Sequence, residues 1–385
     1  MTRSARPRSF VPSLLAAGLG LALVPLAPAA GATSPTGATA AGSAGVRAVP
    51  TAYDLRLVGP AEATTSWSEN LNDRGVVAGG SSNGGWTATR RGAARPLATT
   101  AADGASYGVP GRPTSAKAVN DAGMVLGAGA TPDPLYQYGD NLLLWPSASG
   151  VPSKVAGPYV NQFQWVSPVA LNATGTALYR TSQRGLGTTS WTLRPGGTPA
   201  SVPQSTNEGF VATDLDDYGT VIATSRPYYH GLPFVPGARA AVELRYGATD
   251  ATVLPSLPRA PESPQADGAS AISPDGRYVV GWSGTTPVVW DHRRRVSALA
   301  GVPQGFWAVD VNRQGVVLGF VGREPWLWSK GTATPVAGLV RGMPDGTTLC
   351  LPKAINKSAD IALSLCQDGT TTPTRAAVLT PVRTS

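Results

Sequence analysis

The sequence predicts an all-β protein, a seven-bladed β-propeller of four-stranded blades, and three observations carry that expectation. One turn with a run of β-formers behind it recurs seven times. β-Branched and apolar residues alternate between Gly and Pro punctuation, and no stretch after residue 51 keeps helical spacing over three turns. A four-strand unit recurring every roughly 40 to 50 residues is the sequence mark of a propeller, whereas a right-handed β-helix repeats over shorter distances.

The elements follow in order from the N-terminus. Arg3, Arg6 and Arg8 precede an apolar stretch from Leu14 to Leu26 and then a run of small residues, the order of a secretory signal peptide. Cleavage is expected after Ala29 or Ala32, each of which has Ala two positions earlier. The apolar run is short for a bilayer span and is broken by Pro25 and Pro28. No Arg-Arg pair precedes it, which favours the general secretory route, and no Cys lies near the cleavage site to accept a lipid. The expected division is therefore a signal over residues 1–32, a flexible Ala/Gly/Ser/Thr linker over 33–50 and the propeller over 51–385. The expected product is secreted, extracellular and monomeric, with no membrane contact once the signal is gone.

The repeated unit is read most easily around "DVNRQGVVLGF" at Asp310. An apolar strand "WAVDV" meets the turn "NRQG", a second strand "VVLGF" follows, and "PWLW" and "ATPVAGL" supply the third and fourth. Asn at the first turn position bonds its own backbone, and Gly at the last accepts positive φ. The related turns are at Asn72, Asn120, Asn172, Asp216, Ser273 and Asn356. The turn glycines are Gly75, Gly123, Gly175, Gly219, Gly276 and Gly315, with Ala359 in the last copy. The last unit lacks a fourth strand, while "AYDLRLVG" at residues 52–59 stands unpartnered ahead of the first. Pairing that N-terminal strand in the last blade would close the ring and remove both sheet edges.

The pattern A-x-x-N-x-x-G-x-V-x-G followed by L-W and L, over residues 52–385, resembles the secreted HAF-repeat or extracellular β-propeller proteins frequent in actinobacteria. The His-Ala-Phe tripeptide is replaced by "LLLW", "PVVW", "PWLW" and "RAAVL". The resemblance implies a propeller and export; it implies little about chemistry, because the family is defined by its repeat.

Composition narrows the function classes. The chain carries a net charge of +8, but charged residues are only 14% of it. Its basic residues form no stripe beside stacking aromatics, so a nucleic-acid partner is not expected. The cluster Arg293, Arg294 and Arg295 reads as solvated loop charge. Only His230 and His292 are present, neither with a second ligand at metal spacing. Asp214, Asp216 and Asp217 suggest calcium at first, yet Asp216 occupies the turn position that Asn fills elsewhere, so turn chemistry accounts for it. No phosphate-cradling loop or sialidase-type Asp box occurs. No metal and no cofactor are expected.

Cys350 and Cys366 lie equally far from Ser358 at the centre of the last turn, which would set them opposite each other across one hairpin. In an oxidising compartment a disulfide should form; free buried thiols are the alternative.

Loops between blades and loops joining second to third strands share one face of a propeller, and here that face collects aromatics. The candidate ligand-binding residues are Tyr136, Tyr138, Trp165, Tyr228, Tyr229, His230, Phe234 and Trp307. Exposed rings around a funnel suit a glycan or a protein segment. Trp67 and Trp307 share one register and could instead plug gaps between blades. Trp86, Trp145, Trp191, Trp290, Trp326 and Trp328 fall on third strands and read as sheet-packing residues. The expected function is a non-catalytic binding module for an extracellular glycan or protein. The alternative is an extracellular hydrolase or lyase using carboxylates from separate blades or His230 in the funnel.

Overall fold

A computed structural model describes residues 49–109, 111–133, 137–159, 164–183, 187–202, 208–227, 239–258 and 266–382. The described residues form seven sheets, six antiparallel ones of four strands and one of five strands that is antiparallel except at one edge. The chain is an all-β seven-bladed propeller. The first blade is Ser66–Leu71, Val76–Ser81, Trp86–Thr89 and Arg95–Pro96, paired in that order. The next six blades begin with Ser115–Val119, Gln164–Leu171, Glu208–Leu215, Gly268–Ile272, Trp307–Val311 and Thr347–Ile355. These leading strands form the inner edges of the sheets, and residues of all seven line one axial cavity.

The last blade closes the ring as the unpaired N-terminal strand requires. Tyr53–Leu57 runs antiparallel to Pro373–Pro381, from Tyr53 opposite Pro381 to Leu57 opposite Ala377. It supplies the missing fourth strand. Val340–Arg341, on the connection out of the sixth blade, adds a short fifth strand parallel to Tyr53 and Asp54, which covers the outer edge.

Packing between blades makes the core. Ala78 of the first blade meets Val125, Leu143 and Trp145 of the second, Ile222 meets Val279 and Trp290, and Leu318 meets Leu363 and Leu379. Trp86, Trp145 and Trp290 are fully buried, as third-strand packing demands. Their indole N–H groups donate to the carbonyls of Gly80, Ala98 and Pro255. Each such side chain contributes about 3 kcal/mol by burial, and the indole donor is satisfied rather than orphaned.

Every inner strand carries a register slip three residues before its turn, for example between Ser68 and Asn70, Ala116 and Ala118, and Ala308 and Asp310. A bulge increases local twist and re-aims the residues around it. In the seventh blade the slip is longer, between Cys350 and Ala354. Cys350 therefore pairs with Ser364, and Cys366 with Thr348. The disulfide forms, with Cα atoms 5.9 Å apart, but diagonally; the expectation of directly opposed cysteines fails because the extra bulge residues shift the register.

The Arg cluster also departs from expectation. Arg294 sits at φ 58°, keeps only 19% side-chain exposure and pairs with the buried Glu243 of the fourth blade. It also donates to the Gly276 carbonyl at 3.0 Å. It is an inter-blade tie, while Arg293 is an exposed loop charge and Arg295 pairs with Asp291 at 2.6 Å.

Candidate functional site

The axial channel has two ends of different chemistry. At one end the seven tight turns converge. Each Asn of the motif clips its own turn with its side-chain oxygen: Asn312 Oδ1 accepts from the backbone of Gln314 and Val316, both at 3.0 Å. Gly315 follows at φ 74°, a conformation open to Gly without strain, and a Cβ there would also press on the Tyr278 ring at 3.1 Å.

The amide nitrogen of the same Asn serves a second purpose. Asn312 donates to the Asn356 carbonyl and Asn356 to Asn72, at 3.0 and 3.1 Å. Asn72 donates to Asn120, Asn120 to Asn172 and Asn172 to Asp216, at 2.7, 3.0 and 3.0 Å. An amide side chain can both accept for its own turn and donate to the next, which an ionised carboxylate cannot. The relay stops where Asp216 and Ser273 replace Asn; there the Asp217 backbone N–H donates to the Pro274 carbonyl at 2.9 Å instead.

One layer inward, Asn70, Asp214 and Asp310 occupy a column that is Ala in the other blades. Each accepts a backbone N–H from the following blade: Val119 on Asn70 at 3.1 Å, Ile272 on Asp214 at 3.0 Å and Ile355 on Asp310 at 2.7 Å. Burial pushes the Asp214 carboxyl up to about 7; Asp310 and Asp216 add to this, while the Ile272 and Leu215 N–H groups oppose it. Burial likewise raises Asp310 to about 6 against its two backbone donors.

Arg313 closes this end. It reaches Asp73 of the first blade at 3.3 Å and Asp217 of the fourth at 2.7 Å. The carboxylates it bridges hold backbone as well, Asp73 from Lys357 at 2.8 Å and Asp217 from Ala173 at 2.9 Å. The cavity behind the plug is about 150 Å³. Among the described residues no group of three or more His, Cys, Asp or Glu is arranged to hold a metal ion.

The other end is the loop face. A groove of about 480 Å³ opens between the first three blades, lined by Trp67, Glu69, Arg112, Lys117, Asp140 and Arg180 among others. Arg112 pairs with Asp140 at 2.8 Å, and Lys117 with Glu69 at 2.7 Å. Trp67 lies over Gly80, where a Cβ would meet the indole at 2.5 Å, so the glycine makes room for the ring.

Of the candidate ligand-binding residues, Trp165 and Trp307 are exposed at this end, by 44% and 45%. Trp307 stacks at a tilt on Trp282 of the preceding blade, ring centres 4.5 Å apart. Tyr138 lies on the strand Gln137–Trp145 opposite Pro132. Tyr136, Tyr228, Tyr229, His230 and Phe234 lie outside the described residues. Sequence reasoning did not single out Arg112, Lys117, Arg180 or Glu69. Glu69 and Lys117 occupy bulge positions, and a polar residue three before the turn was the available signal.

No protein-family model matches the chain, and no curated protein matches it. Solved structures do. The streptogramin B lyase structure aligns with TM-score 0.51 and 11% identity over 85% of this chain and 97% of that one. The extracellular domain of a hybrid two-component system from B. thetaiotaomicron aligns with TM-score 0.50 and 9% identity, over 86% of this chain but 40% of that one. A prolyl endopeptidase aligns with TM-score 0.48 and 11% identity over 71% of this chain, which spans 42% of its length. At these identities the likeness shows the propeller fold and nothing about activity.

Proposed function

We propose that the chain is a secreted, monomeric β-propeller of the HAF-repeat kind that binds an extracellular glycan or protein at its loop face and does not turn it over. The observation that carries this reading is the asymmetry of the channel. The buried carboxylates at the turn end are bonded to backbone N–H groups of their own and neighbouring blades behind the Arg313 plug. At the loop end lie an open groove lined in part by Trp67 and, elsewhere on that face, the exposed indoles of Trp165 and Trp307. Concave sites that combine rings with a few placed polar groups are the usual form of a ligand site. The disulfide and the N-terminal basic, apolar and small segments are compatible with export.

The test is a glycan and peptide array probed with the exported protein, compared with Trp165→Ala and Trp307→Ala, alongside mass spectrometry of each bound polymer. Binding that weakens at least tenfold in the variants, with no polymer cleaved, is the expected result. Product release from any polymer would replace this reading with the hydrolase or lyase.

A further inference from the structure

Three adjacent blades place charged residues at the bulges of their inner strands. Glu69 stands at the slip of the first blade, Lys117 at that of the second and Lys353 within the long slip of the seventh. Both ammonium groups sit on the same oxygen, Glu69 Oε2, at 2.7 Å from Lys117 and 3.3 Å from Lys353. Two cations thus share one carboxylate, leaving a positive charge in excess. These side chains are only 36%, 29% and 16% exposed for Lys117, Lys353 and Glu69. Partial burial weakens solvent screening, so the excess charge acts more strongly than it would on an open surface. Burial tends to raise the Glu69 carboxyl, but the two lysines outweigh it and hold the group below its usual range, so it is ionised.

The same groove has two guanidinium groups on its lining, Arg112, which is paired with Asp140, and Arg180, with the Trp67 indole on the same lining. A guanidinium presents a planar fork of donors that matches carboxylate and sulfate oxygens, and an indole offers the flat apolar surface that a sugar ring covers. The volume of about 480 Å³ lies within the range of small-ligand sites.

We infer that this groove binds an anionic saccharide unit, a sugar bearing a carboxylate or an ester sulfate, with the anion facing Lys117 and the guanidinium groups and the ring against Trp67. The inference rests on the binding role proposed above and names its ligand class. Glu69 then acts as a built-in competitor: it neutralises part of the lysine charge in the empty groove and sets how much remains for the ligand.

Titration calorimetry with oligogalacturonate, a sulfated dextran oligomer and a neutral maltodextrin, each at low and high salt, tests it. At least one charged oligomer should bind tenfold or more tighter than the neutral one and weaken with salt; which one binds separates carboxylate from sulfate. Glu69→Gln should tighten binding severalfold, because it frees both ammonium groups while keeping side-chain shape. A residue that served only the fold would not improve affinity when replaced. Trp67→Ala should weaken binding tenfold. If Glu69→Gln shifts the melting midpoint, Lys117→Gln on the more exposed side chain serves instead and should weaken binding. Equal binding of all three oligomers, unmoved by Glu69→Gln and Lys117→Gln, overturns the anionic ligand while leaving the binding role intact. No binding here or on any array removes both.

Discussion

The two ends of the channel are built from the same seven strands and obey opposite rules. At the turn end each polar side chain on the axis has a structural partner: Asn72 holds two backbone donors and one acceptor, and Asp310 holds two donors. At the loop end the first strands splay around Trp67, Trp165 and Trp307, two of which are nearly half exposed. The difference teaches where stability and variability are divided. Blades tied to one another by a relay of hydrogen bonds at one end tolerate open, charged and aromatic side chains at the other, because they are already held in register.

The sharpest way to break that contrast is to exchange the cost of substitutions at the two ends. Asn120→Ala removes the acceptor for the part-buried N–H groups of Ala122 and Met124 and the side-chain donor to the buried Asn172 carbonyl, which then keeps only the Gly175 N–H. A loss of roughly 3–5 kcal/mol is expected in urea unfolding. Trp165→Ala should cost less, about 1–2 kcal/mol, since nearly half of the residue is already solvated. Comparable losses at the two positions would show that the loop end, too, is structural.

The seventh blade sharpens the comparison, because at the loop end it carries a covalent bond where the turn end relies on hydrogen bonds. Cys350 and Cys366 join strand to strand on the loop side of the longest bulge, in the sheet that also receives the N-terminal strand. Replacing both by Ser should lower stability by about 3 kcal/mol in the chain-entropy account. A loss below about 1 kcal/mol would mean that the ladder alone secures the bulge.

Much of the ring was legible in the chain. The recurrence of Asn and Gly marked seven turns, and a missing fourth strand beside an orphan N-terminal one implied closure. The cysteines were paired correctly, but their diagonal placement depends on bulge residues whose count no local pattern announces. The relay from Asn to Asn was not legible, because each turn explains its own Asn and the second bond links residues a whole repeat apart. Arg313 was hidden for the same reason: it lies next to a turn Asn and looks solvated, yet its partners Asp73 and Asp217 come from two other blades. Such contacts arise from ring closure and are not written in any one repeat. The loop-face tyrosines follow from aromatic content and loop length, whereas Glu69 and Lys117 of the groove are placed by bulge geometry.

The smallest expected effect is a gain. Asp216 clips its own turn through Tyr218 and Thr220 at 3.0 and 2.7 Å, as Asn does, but as an anion it has no proton for the next blade. Burial raises its carboxyl above the ordinary value, as it raises Asp214 and Asp310. A raised folded value means the native state keeps its proton where the unfolded chain has lost it. The contribution is therefore fully present below about pH 4 and declines as pH rises through the folded value. Asp216→Asn removes that decline and supplies an amide to extend the relay toward Ser273, worth about 1 kcal/mol by the usual net value of a hydrogen bond. The variant should unfold at higher urea than the parent at pH 8 and at nearly the same urea at pH 3, below the ordinary carboxyl value, where Asp216 with its raised value carries a proton and can donate. An equal gain at both values would assign the effect to packing alone, and a loss at pH 8 would mean that the junction between fourth and fifth blades is shaped for an acid.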